Sequence, residues 1–366
     1  MATGLIWDER YFWYQFGDYR SLLGSAFLQP GSYAETQESK RRILGLLHTS
    51  GLIDHMTALK PVTVSDSELC CFHDEDYVRR VRELSANDGG SVSRGAPVPV
   101  GGYEIAALAV GGTKTAIDAV LHGTVANAYA LVRPPGHHAE RDHGFGLCIF
   151  ANAAIATKLA MREHGLERVA IVDWDAHHGN GTESAFYDDP SVLTISIHQD
   201  LVIPGRGAVR DCGRDKGEGY NINIPLPPGS GTGAYLAAAD RVIAPALRRF
   251  RPDLILVASG VDACASDPTA RMLLHADSYR FLTARMMQLA AELCGGRLVM
   301  THEGGYDLSA APFCALAIME EMTGVRTAVS DPFGELREDA LTDYQLLLPH
   351  QNSVIEQAEA LLELMR

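Results

Sequence analysis

The chain has 366 residues, of which 31 are Lys or Arg and 46 are Asp or Glu, a formal net charge of -15. That acidity disfavours a nucleic-acid binder that works by neutralising phosphates. With 46% hydrophobic and 21% charged residues, the composition is that of a globular protein with a large core, which excludes disorder and fibrous structure.

In chain order, the first twenty residues hold Trp7, Tyr11, Phe12, Trp13, Tyr14, Phe16 and Tyr19, which read as core packing of a first strand and its loop. Asp8, Glu9 and Arg10 occupy the place where a signal peptide needs its apolar core, and no run approaches the roughly 18 apolar residues of a membrane span. The Gly/Ser/Pro segment from Asn87 to Gly102 reads as a surface loop, with no composition shift to make it a linker. Beyond it, short β-branched runs at Asn127 to Val132, Arg168 to Val172, Val192 to Ile197, Asp253 to Ala258 and Arg297 to Met300 read as buried strands. They alternate with helical patterns at Ala151 to Glu163, Gly233 to Arg249 and Ser278 to Leu293, stopped by Pro252 or by Gly295 and Gly296. This alternation predicts an α/β protein, a single domain with a central parallel β-sheet flanked by helices. The last segment, Asn352 to Arg366, reads as a helix capped by Asn352 or Ser353. Seven cysteines without any C-x-x-C pair form neither a disulfide framework nor a zinc ribbon, and they fit a reducing cytoplasm.

The chemistry-bearing residues follow the strands. After Val132 comes Arg133-Pro134-Pro135-Gly136-His137-His138, after Val172 comes Asp173-Trp174-Asp175-Ala176-His177-His178-Gly179-Asn180-Gly181, and the third and fourth stretches are Ser259-Gly260-Val261-Asp262 and His302-Glu303-Gly304-Gly305-Tyr306. Ligands of parallel sheets bind at the carboxyl ends of the strands, so four stretches deliver polar residues to one rim. In extended backbone the side chains of Asp175 and His177 point the same way, about 6.6 Å apart along the strand, and can grip one metal. With Asp262 as a third ligand, zinc keeps an open position, as in a catalytic site. Each such residue taken alone is a helix cap or a satisfied core group. Together, a metal site, a tandem histidine pair and a tyrosine in a glycine-rich turn are the parts of a metal-assisted amide hydrolase.

The motifs PPGHH, DWDAHHGNGT, SGVDA and EGGY resemble those of zinc-dependent histone-deacetylase-like proteins, and are most similar to the class II branch with the bacterial histone-deacetylase-like amidohydrolases. The resemblance implies the arginase/deacetylase fold and removal of an acetyl or other short acyl group from an amine. Its implied zinc ligands are Asp175, His177 and Asp262. It implies His138 as general base and later acid, His137 as its electrostatic partner and Tyr306 as hydrogen-bond donor to the carbonyl oxygen. Asp173 then stands behind His137, and Asn180, a neutral partner, behind His138. A structural potassium ion is implied at Asp173, Asp175, His177, Ser196 and Ile197, and relatives of the bacterial branch imply a homo-oligomer.

The chain departs from the resemblance at the substrate passage, which is implied to involve Gly146, Leu147, Thr269 and Asp88. Gly146-Leu147-Cys148 stands where relatives have Gly-Phe-Cys, and Thr269 follows Asp267-Pro268 where they have Leu or Met. A less aromatic passage leaves acyl-lysine, acylpolyamines and acylated natural products all open as substrates. A non-catalytic acyl-ligand sensor is the alternative from another class, but it needs neither Tyr306 nor both histidines. Gly179 stands where a dimanganese arginase-like site needs a third carboxylate. Cys148 and Cys264 read as structural thiols. Acidic residues such as Asp88 and Asp267 gathered at the mouth of the site would favour a cationic amine.

Overall fold

The apolar runs form one sheet because their residues are buried on both faces, as a helix-covered parallel sheet demands. Its strands are β1 (Thr3–Ile6), β2 (Met56–Leu59), β5 (Asn127–Ala130), β6 (Val169–Asp173), β7 (Val192–Gln199), β8 (Asn221–Leu226), β9 (Leu254–Ser259) and β10 (Leu298–His302). All neighbours pair in parallel, in the order β2-β1-β5-β10-β9-β6-β7-β8. The computed structural model describes residues 2–17, 29, 33–93, 95–334 and 345–365.

Helices cover both faces. One core layer gathers Trp174, Tyr235, Tyr279 and Met300, and the other gathers Ile6, Tyr77, Val132 and Phe150. The N-terminal aromatics enter these layers as expected, with Tyr11, Phe12, Tyr14 and Phe16 buried, whereas Trp13 is exposed; Tyr19 lies outside the described residues. None of the described helices is long and apolar enough to cross a membrane.

Three local expectations are corrected. The segment from Asn87 to Gly102 is not all loop: it holds an antiparallel hairpin, β3 (Gly90–Ser93) and β4 (Ala96–Val98). The terminal helix spans Pro349–Ala360, with Leu348 rather than Asn352 or Ser353 at the N-cap position. Pro349 fits the first turn because its missing N–H would have no helical partner there. The helix read over Gly233 to Arg249 has a π turn at Ala239–Ile243, in which Ala244 N–H reaches Ala239 O. Pro245 follows directly and has no N–H to continue the regular ladder.

Candidate active site

The strands β5, β10, β9 and β6 lie side by side in the sheet although they are scattered along the chain. Register locks them, with Ala130 opposite Thr301, His302 opposite Ser259, and Asp173 opposite Ala258. The four motif-bearing loops therefore leave adjacent strand ends and meet.

Asp175, His177 and Asp262 come together, all buried, with their ligand atoms within 4.8 Å of one another. His177 Nδ1 lies 3.1 Å from Asp175 Oδ1 and 2.9 Å from Asp262 Oδ2. The local backbone is a bend after β6, not the extended strand expected from the D-x-H spacing. His177 N–H donates to Asp175 Oδ1 (2.9 Å) and Ala176 N–H to Asp262 Oδ1 (2.8 Å), which turns both side chains inward.

The surroundings of this trio fit a metal ion. Burial pushes the Asp262 carboxyl up to about 7, reinforced by Asp175. Burial opposes charge on His177, but the Asp175 and Asp262 carboxylates outweigh it and raise its pKa well above the usual range. A cation among these donors would displace that proton and relieve the carboxylate repulsion. Glycines make room for the carboxylates: a Cβ at Gly304 would sit 2.2 Å from Asp262 Oδ2, and one at Gly260 would sit 2.1 Å from Asp175 Oδ2. Gly304→Ala is accordingly expected to weaken metal retention by about ten- to a hundredfold, as displaced metal surroundings do; competition with a chromogenic chelator measures it.

Two imidazoles stand beside the trio, ring centroids 4.0 Å apart. His137 Nδ1 meets Asp173 Oδ2 at 3.0 Å and His138 Nδ1 meets Asn180 Oδ1 at 2.8 Å, the two pairings that the sequence resemblance implies. Burial disfavours charge on His137, but Asp175 and Asp173 outweigh it and push its pKa up to about 10. For His138, burial and the neighbouring His137 and His177 act together and depress it. Gly146 closes over this ring: its φ is +51°, and a Cβ there would lie 2.3 Å from His138 Cδ2.

Sequence reasoning missed what holds these loops. Glu303 Oε2 accepts from the backbone N–H of Gly136 (2.7 Å) and His137 (3.1 Å), fixing the PPGHH turn. Below it, Arg133 makes a two-bond pair with Glu35 (2.8 and 2.7 Å) and donates to the carbonyls of Tyr11 and Tyr14. Lys40 joins the same carboxylate at 3.3 Å. Burial would raise the Glu35 pKa, but Arg133 and Lys40 hold it below the usual range. Glu35→Ala would leave two buried cations without their carboxylate. It should cost about 3–5 kcal/mol of stability in urea unfolding.

Tyr306 is half-buried, with its ring 5.6 Å from Lys40 Nζ. Its backbone N–H donates to Asp267 Oδ2 at 2.7 Å. Asp267 is thus buried and anchors the tyrosine loop, while Asp88 is exposed ahead of the hairpin; the two do not form an acidic mouth. Thr269 spends its hydroxyl on Asp267 Oδ1 (2.6 Å). Leu147 is buried, with φ at +71°, and Phe145 stands edge-on to His138 at 5.7 Å. Ser196 is the register partner of Asp173, next to Ile197, and bonds His198 Nδ1 at 2.9 Å. Cys148 and Cys264 are buried, and no disulfide joins any of the seven cysteines.

The fold and the site define a class: α/β proteins with a buried polar centre where adjacent strands of a parallel sheet end. Residues 33–322 match the histone deacetylase domain model, and the chain belongs to that family. A histone deacetylase-like amidohydrolase of Pseudomonas aeruginosa is 46% identical over 353 residues, covering 94% of this chain and 93% of its own. A probable deacetylase of Archaeoglobus fulgidus is 37% identical over 342 residues, covering 92% and 91%. The crystal structure of the HDA15 HD domain matches with a TM-score of 0.81 at 30% identity, covering 99% of this chain and 98% of that one.

Proposed function

We propose that this protein is a zinc-dependent amidohydrolase that removes an acetyl or other short acyl group from an amine. The observation that carries the reading is the paired imidazoles, backed by Asp173 and Asn180, beside the Asp175, His177 and Asp262 trio. Those three residues would hold zinc, which when bound supplies a Lewis acid for the acyl carbonyl and lowers the pKa of water. His138 donates its Nδ1–H to Asn180, so Nε2 is free to take the proton of the attacking water. His137, held by Asp173, keeps positive charge next to that water. The Tyr306 hydroxyl donates to the carbonyl oxygen as it gains charge. His138 then returns its proton to the leaving amine. We further assign a potassium ion to the carbonyls of Asp173, Asp175, His177 and Ile197 and the Ser196 hydroxyl, a placement supported by the Asp173 and Ser196 register.

For the substrate, Thr269 offers little polarity because its hydroxyl is engaged by Asp267. Phe145 supplies an aromatic edge beside His138, which suits an acyl-lysine or polyamine chain. A panel of acetyl-lysine peptide, trifluoroacetyl-lysine and N-acetylated polyamines on zinc-loaded protein tests the reading. Turnover of at least one supports it. Failure on all of them, the activated trifluoroacetyl amide included, overturns it.

A further inference from the structure

Behind Asn180 lies a pair of charged residues with no assigned role. Asn180 Nδ2 donates to Glu140 Oε1 at 2.7 Å and to His138 O at 3.3 Å. Arg206 Nη1 meets the same Glu140 oxygen at 3.0 Å. The Glu140 side chain is 18% exposed and that of Arg206 63%, so the chain of contacts runs from the surface to the buried imidazole. Arg206 belongs to the loop after β7, where Leu201 and Ile203 stand exposed at 90% and 58%.

An asparagine amide can present either end to a neighbour, and hydrogen bonding decides which. A carboxylate and a backbone carbonyl only accept, so both claim the NH2 end. Only Oδ1 is then left for His138 Nδ1, which must carry the proton, leaving Nε2 as the basic nitrogen. Without the carboxylate, only the longer 3.3 Å bond to the His138 carbonyl still holds the NH2 end, and the amide can turn its NH2 toward the ring and impose the opposite tautomer, in which Nε2 is protonated and cannot accept. We infer that Glu140 is a positioning residue that fixes the tautomer of His138 through the orientation of the Asn180 amide, with Arg206 as its counter-charge. The inference rests on the reading of His138 as the proton carrier. A loss of the wrong-tautomer kind lowers turnover without weakening substrate binding.

The test compares wild type, Glu140→Met and Glu140→Met with Asn180→Asp, all zinc-loaded and with metal content checked. Nitrogen NMR of 15N-labelled histidine, assigned with His138→Ala, reads the tautomer without any substrate. Glu140→Met should shift His138 from the Nδ1–H to the Nε2–H form and lower kcat on trifluoroacetyl-lysine by about ten- to a hundredfold, with KM within about twofold. Asn180→Asp should restore the Nδ1–H form, since a carboxylate can only accept. Should Glu140→Met fail to fold, Glu140→Ala replaces it. An unchanged tautomer in the carboxylate-free variant overturns the inference. A protein that hydrolyses nothing would instead overturn the proposed function, and the NMR result would still stand.

Discussion

Asp262→Asn is expected to release the metal and to lower amide hydrolysis by on the order of a thousandfold. The asparagine keeps the shape of the side chain and an oxygen for the Ala176 N–H, which meets Asp262 Oδ1 at 2.8 Å, so the loop should fold as before. What disappears is the charge that faces His177 Nδ1 at 2.9 Å. Two protein ligands then remain where a catalytic zinc site needs three. Lewis-acid stabilisation of several kcal/mol corresponds to about three powers of ten in rate. Elemental analysis after dialysis, paired with turnover, measures both effects. A variant that keeps its full metal content would remove Asp262 from the ligand set.

Tyr306→Phe should separate metal binding from catalysis. Asp267 anchors this loop through the backbone N–H of Tyr306 (2.7 Å) and of Asp307 (3.3 Å), contacts that do not involve the phenol. A phenylalanine ring should therefore keep its place, near Lys40, while only the hydroxyl is lost. Zinc content and KM should stay close to wild type, and kcat should fall by about a hundredfold or more, as when one oxyanion donor is removed. Unchanged turnover would take the tyrosine out of the mechanism.

The sheet was legible because its strands are short β-branched runs buried on both faces, and periodicity reports burial directly. Strand ends agree within a few residues, as at Val192–Gln199 and Leu254–Ser259. The convergence of four motifs was legible for the same reason: in a parallel sheet every carboxyl end faces one way. The trio of Asp175, His177 and Asp262 did come together, though through a bend stabilised by the His177 N–H rather than through an extended strand. Long-range partners were not legible. Glu303 holds the His137 turn, Glu35 pairs with Arg133, and Asp267 holds Tyr306, each across a separation that no local pattern encodes. Asp267 could be named only as a candidate for an acidic mouth, because a carboxylate that accepts backbone N–H groups has no signature in sequence. The hairpin within the Asn87 to Gly102 segment escaped because its strands are very short and poor in strand formers, Gly90–Ser93 being mostly Gly and Ser and Ala96–Val98 carrying Ala and Pro.

In the function proposed above, a metal held by Asp175, His177 and Asp262 drives amide hydrolysis at the paired imidazoles. The direct measurement is a zinc titration of chelator-stripped protein, following trifluoroacetyl-lysine hydrolysis and bound metal together, with Asp262→Asn in parallel. The expected result is no turnover in the stripped protein, activity rising in step with bound zinc until one site per chain is filled, and no recovery in the variant. Metal-free protein as active as the reconstituted one would contradict it.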